Sequence, residues 1–166
     1  MGEIVSKELL EKVESNSREL EKTVDEIIEP YCSELDNYMQ FVQSILKDDE
    51  KPPTDVELDD FILNLSTMIY FASVGTEQLG VRDDLSRAAY KEAYNTARNM
   101  LGKGTVADKN TEAELQAMAD HIINIIYSKA YKIMKAKVEA AQEVLSSVKK
   151  VISRRMSDVT FERGDK

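Results

Sequence analysis

Apolar positions along this 166-residue chain recur mostly at three- and four-residue steps, the spacing of a helix that hides one face. Val5, Leu9, Val13, Leu20, Val24, Ile27 and Ile28 share such a stripe and predict a helix over residues 6–28. Ser17 stands where the stripe should continue, so it is thin. Glu29-Pro30 predicts an interruption, because proline disfavours helical geometry in the residue before it. A second helix is expected over residues 31–46, with Leu35, Tyr38, Met39, Val42, Ile45 and Leu46 on one face. Residues 47–54, containing Asp48-Asp49-Glu50 and Pro52-Pro53, read as a loop.

Thr54-Asp55-Val56-Glu57 has the spacing of a capping box, in which hydroxyl and carboxylate each satisfy the other residue's exposed backbone N–H. The helix it opens carries Leu58, Phe61, Ile62, Leu65, Met68, Ile69, Phe71, Ala72 and Val74, more than one stripe, as expected of a helix packed on several sides. Gly75 and Gly80 bracket its expected end. A further helix is predicted over 83–101, with Leu85, Ala88, Ala89, Ala93, Ala97 and Met100 inward and Tyr90 and Tyr94 packing on the core. Residues 102–110 read as a turn, and Thr111-Glu112-Ala113-Glu114 as a second capping box.

From there to residue 156 there is neither Gly nor Pro. An unbroken helix of that length reaches roughly 65–70 Å at 1.5 Å per residue. Leu115, Met118, Ile122, Ile126, Ala130 and Met134 form a four-spaced seam, and Met134, Val138, Ala141, Leu145, Val148 and Ile152 continue it at coiled-coil spacing. Such a helix outreaches a globule of this size, whose radius of gyration is on the order of 15 Å. It must fold back through a break or pair with another chain, and pairing, hence an oligomer, is the expectation. The fold class read here is all-α: a helical bundle or hairpin with a long C-terminal coiled-coil-like helix. The regions are 1–53 (acidic, helical), 54–110 (a helical pair), 111–156 (the long helix) and 157–166 (a polar tail).

Candidate chemistry is sparse. One Cys (Cys32) makes no internal disulfide, and one His (His121) removes most zinc and nucleophile arrangements. The expected place of Cys32 is a buried apolar site, and that of His121 the edge of a packed stripe. Leu101-Gly102-Lys103-Gly104-Thr105 departs from a phosphate loop in spacing and context, and reads as a helix stop. Asp59-Asp60 and Asp83-Asp84 fall at expected helix starts, where carboxylates complement the helix dipole. No catalytic site, cofactor or metal is expected, so the chain reads as a non-enzyme. With no apolar run near the length of a membrane span and no leader pattern, a cytoplasmic location and no membrane partner are expected.

Charge changes the picture. The chain carries net −9 in all. Residues 1–64 hold 18 acids and 6 bases, residues 65–120 hold 8 and 6, and residues 121–166 hold 5 and 10, giving net −12, −2 and +5. The basic end has two clusters: Lys129, Lys132, Lys135 and Lys137, then Lys149, Lys150, Arg154 and Arg155. Tyr127 and Tyr131 lie beside the first, and aromatic rings among cations suit single-stranded nucleic acid. The same cations also complement a helix C-terminus, solvate a coiled coil, or neutralise the acidic first helix.

Three stretches carry a resemblance: Tyr90-Lys91-Glu92-Ala93-Tyr94-Asn95-Thr96-Ala97-Arg98, the turn over 102–109, and Ser147-Val148-Lys149-Lys150-Val151-Ile152-Ser153-Arg154-Arg155. In these, residues 58–156 resemble the UvsY-type recombination mediators of bacteriophages. The resemblance implies a ring-forming homo-oligomer in the host cytoplasm. It would bind single-stranded DNA and help load a recombinase past a single-strand-binding protein, with no cofactor. By it, Lys91 and Arg98 match the family's basic helix before the turn. The expected interface is Lys91, Arg98, Tyr127, Lys129, Tyr131, Lys132, Lys135, Lys149, Lys150, Arg154 and Arg155. The alternative is a protein-interaction module (an inhibitor, DNA mimic, scaffold or assembly factor) acting through the acidic N-terminal helices.

Overall fold

A computed structural model describes residues 2–48, 50–102 and 104–164, with side chains described for residue 7 and residues 10–48, 50–102 and 104–157. The expected contributions of Val5, Leu9 and Lys103 thus lie outside the described side chains. The chain is all-α: α1 (Gly2–Leu46), α2 (Asp55–Met100), α3 (Val106–Gln116) and α4 (Met118–Gly164), with no strand among the described residues. Two compact units divide it. Unit one comprises Met1–Glu29 and Glu77–Lys132, and unit two Pro30–Thr76 and Ile133–Lys166, so α1, α2 and α4 each contribute to both.

Pro30 does not end α1. It removes the N–H that would bond to the Glu26 carbonyl, but both residues are exposed, so water can serve that carbonyl. Val24, Ile28, Cys32 and Leu35 are buried on the same face at helical spacing, which holds the helix through the defect.

The glycines of α2 do not end it either. An ideal Cβ at Gly75 would lie 2.5 Å from Tyr31 Cδ1, and one at Gly80 would lie 3.3 Å from Tyr131 Cε2. The missing side chains let a tyrosine from α1 in unit two, and another from α4 in unit one, lie against the α2 backbone.

The Thr54 box forms as expected: Glu57 N–H donates to Thr54 Oγ1 at 3.2 Å, and Thr54 N–H to Glu57 Oε2 at 2.7 Å. The second box belongs to Thr105, not Thr111. Asp108 N–H donates to Thr105 Oγ1, the Thr105 N–H points back to Asp108, and helix begins at Val106 inside the expected turn. The Thr111 hydroxyl instead donates to the Ala107 carbonyl one turn back. The long final helix is broken at Ala117 (φ −88°, ψ 6°), whose N–H bonds to the Ala113 carbonyl. Ala113 and Ala117 are fully buried, and a larger side chain at either would hold the junction off the core. After that break α4 runs to Gly164, through the stretch expected to be a polar tail.

Unit two holds the larger core: Leu35 and Val42 from α1, Leu58, Phe61, Leu65, Ile69 and Ala72 from α2, and Met134, Val138, Ala141, Val144 and Val148 from α4. Tyr38, Phe41 and Phe61 pack in tilted and edge-to-face pairs with centroids 5.8 to 6.4 Å apart. The coiled-coil seam of α4 is thus covered within the chain.

Unit one inverts two expectations. Leu85 and Met100, expected inward, are exposed, as are Ala88 and Ala89. Leu115 of α3 and Met118 and Ile122 of α4, which open the expected four-spaced seam, are exposed too, while small Ala113, Ala117 and Ala130 are buried. Asp83 and Ser86 face inward in place of the apolar set.

Candidate nucleic-acid interface

The inward seam of α4 decides where its cations stand. With Met134, Val138, Ala141 and Val148 buried, Lys129, Lys132, Lys135, Lys149, Lys150 and Arg154 are all turned to solvent. Among the described residues none of these six makes an ion pair. Glu139 and Glu143 are exposed between Lys135 and Lys149, so the basic face in unit two is interrupted by two acids.

Other members of the expected set are engaged. Arg155 donates from Nη1 to Asp55 Oδ1 and from Nη2 to the Pro53 carbonyl, each at 2.7 Å, and so fastens the α1–α2 loop to α4 in unit two. Lys137 of the first cluster is ion-paired with Asp36 of α1. Tyr131 lies against Gly80, so part of its ring is covered by α2, and Tyr127 is half-buried. The paired-ring platform expected beside the first cluster is therefore only partly open. Lys91 and Arg98 are exposed on α2, two turns apart on one face, and Arg98 lies in the last turn, where a cation also complements the helix dipole.

Unit one contains a polar site that the sequence reading passed over. The Asp83 carboxylate is buried and accepts from Arg87 Nη2 at 2.7 Å and from Asn124 Nδ2 at 3.3 Å. Asn124 also donates to Ser86 Oγ at 3.2 Å, tying α4 to α2. The available signal was Asp83 four residues before Arg87, a helical pair that a helix-start reading of Asp83-Asp84 concealed. Nearby in the same unit, His121 lies beside Tyr90 with ring centroids 4.6 Å apart. Cys32 sits in the core of unit two, while His121 belongs to unit one.

A groove of about 380 Å³ in unit one is lined by Ala89, Glu92, Ala93, Thr96, Ala97, Met100 and Gln116, with Glu92 its one ionisable side chain. Among the described residues no three His, Cys, Asp or Glu side chains converge as a metal site, and no helix is long and apolar enough to cross a membrane. Compared with known proteins, the chain matches no family, no curated protein and no solved structure.

Proposed function

We propose that this chain is a non-enzymatic accessory of phage-type DNA recombination, a mediator that binds single-stranded DNA through the outward face of α4 and works beside a recombinase or single-strand-binding protein. The observation that carries this reading is the set of six exposed α4 cations without an ion-pair partner among the described residues. Binding would be electrostatic, with cations on phosphates and at most modest stacking on Tyr127.

Fluorescence anisotropy with labelled single-stranded DNA at ~50 and ~200 mM salt tests it. If all six cations reach phosphates, a slope of about −0.7 per contact cuts affinity on the order of 300-fold across that range. Reversal of Lys149, Lys150 and Arg154 to Glu should abolish binding with the helical signal unchanged. No binding by the wild type at low salt would sink the reading.

The alternative, an interaction module or nucleic-acid mimic, has its own support on α1. Glu11, Glu14, Glu19, Glu21, Asp25, Glu26 and Glu29 are all exposed in unit one. Among the described residues Arg18 and Lys22 pair with Glu14 and Glu26 alone, at 4.0 and 3.8 Å. Because α1 supplies core side chains to both units, charge reversal at Glu11, Glu14 and Glu21 is the suitable test, rather than removal of the helix. Loss of function in that variant with DNA binding intact would favour the alternative.

A further inference from the structure

The outward face of α2 is apolar and exposed. Val56, Leu63, Tyr70 and Val74 in unit two and Val81 and Leu85 in unit one are between 42 and 72% exposed. Steps of seven and four place all six on one side of the helix, opposite the buried Leu58, Leu65, Ala72 and Leu79. Single exposed apolar side chains are ordinary, but six in register along one helix mark a binding surface. The inversion in unit one makes the point sharper: Asp83 and Ser86 are buried, while Val81 and Leu85 of the same helix face water.

Charge along α2 indicates what fits there. Residues 55–77 hold Asp55, Glu57, Asp59, Asp60 and Glu77 with no base. Residues 78–100 hold Arg82, Arg87, Lys91 and Arg98 against Asp83, Asp84 and Glu92, a weakly basic balance that the Asp83–Arg87 pair leaves unchanged. A parallel partner of the same sequence would lay one acidic half on the other. An antiparallel one lays acidic on basic, and in sequence register it brings Leu63 opposite Val81 and Tyr70 opposite Val74. Four of the six apolar positions thus pair with one another about residue 72, as a two-fold contact between identical helices requires, while Val56 meets Ala88 and Leu85 meets Asp59.

We propose that a second copy of this chain covers the outward face of α2, the two α2 helices packing antiparallel. This differs from the oligomer expected through the long final helix, whose Met134, Val138, Ala141 and Val148 are buried in unit two, and it is independent of the DNA-binding reading.

Light scattering after size exclusion of the full chain, over a dilution series, should give twice the chain mass. The variant Leu63→Glu with Val81→Glu should elute as a monomer with unchanged helical circular dichroism, since both positions are exposed. Orientation is read by cysteines, with Cys32 buried and silent. A mixture of Leu63→Cys chains and Val81→Cys chains should form a mixed disulfide under mild oxidation, and Leu63→Cys chains alone should not. This second measurement holds even if the glutamate variant fails to fold. A wild-type monomer throughout the series would leave the face to a different protein and overturn the proposal. So would a Leu63→Cys self-cross-link, which marks a parallel pair, or an assembly that a folded glutamate variant leaves intact.

Discussion

Tyr31 of α1 occupies the space that a side chain at Gly75 of α2 would need, its Cδ1 only 2.5 Å from where a Cβ would stand. Alanine is the better helix former by about 1 kcal/mol. Even so, Gly75→Ala should destabilise by about 1–3 kcal/mol, because the tyrosine ring must leave a packed position. Gly80→Ala is the internal control. Its Cβ would meet the outer edge of Tyr131 at 3.3 Å, a contact relieved by a few tenths of an ångström, so its effect should be near zero. Urea unfolding of both variants, compared at equal m-value, checks the difference.

Pro30→Ala should stabilise the protein. Pro30 sits within α1, where a proline costs about 3 kcal/mol. Its restriction of the unfolded chain returns about 0.4–1 kcal/mol, so the expected net gain is about 2 kcal/mol. A variant no more stable than wild type in thermal unfolding would mean that the Glu26 carbonyl already has an adequate partner in water.

Asn124→Ala should cost about 1–2 kcal/mol, because it takes an amide donor from the buried Asp83 carboxylate and from Ser86 Oγ. Asp83→Ala should cost more, since it takes the carboxylate acceptor from both Asn124 and Arg87. The half-exposed guanidinium softens the charge part to less than a fully buried pair would show. Chemical denaturation of the two single variants and the double variant should reveal non-additivity, the sign of a shared network.

Glu57 gives a pH dependence with a definite sign. Bonding to the Thr54 backbone N–H, then to its hydroxyl, holds the Glu57 carboxyl below its ordinary value of 4.5. A folded-state pKa below the unfolded one contributes stability that is present above the unfolded value and lost as pH falls through the folded one. Glu57→Gln should therefore lower Tm near neutral pH, and the gap to wild type should close once pH drops below the folded pKa. Melting curves from neutral to acid pH read this directly.

Arg155→Ala separates structure from DNA binding. Its guanidinium is committed to Asp55 and the Pro53 carbonyl, and Asp55 is largely exposed, so the ion pair itself contributes only about 0–1 kcal/mol. Anisotropy should find DNA affinity changed less than twofold by Arg155→Ala. Lys150→Ala, at an exposed cation with no ion pair among the described residues, should weaken it and reduce the salt slope by about 0.7.

Much of the helical plan was legible along the chain. The Thr54 box, the buried set Leu35 to Val42, and the seam from Met134 to Val148 follow from spacing and short-range hydrogen bonding, which act between neighbours in sequence. The exposure of Lys129, Lys132, Lys135, Lys149, Lys150 and Arg154 follows from the same seam. The engagement of Arg155 and Lys137 does not, because Asp55 and Asp36 are about a hundred residues away along the chain.

Only tertiary structure decided whether a breaker breaks. Pro30, Gly75 and Gly80 each oppose helix locally, and each is carried through by what packs around it: the apolar face of α1 at Pro30, and tyrosine rings that need the glycines bare. Only tertiary structure decided which face of α2 turns inward in unit one. Periodicity tells which residues share a face, but a neighbouring helix chooses among faces by the total fit of side chains and hydrogen bonds. There the Asp83–Asn124–Ser86 network won the inner side, and Val81 and Leu85 were left outside.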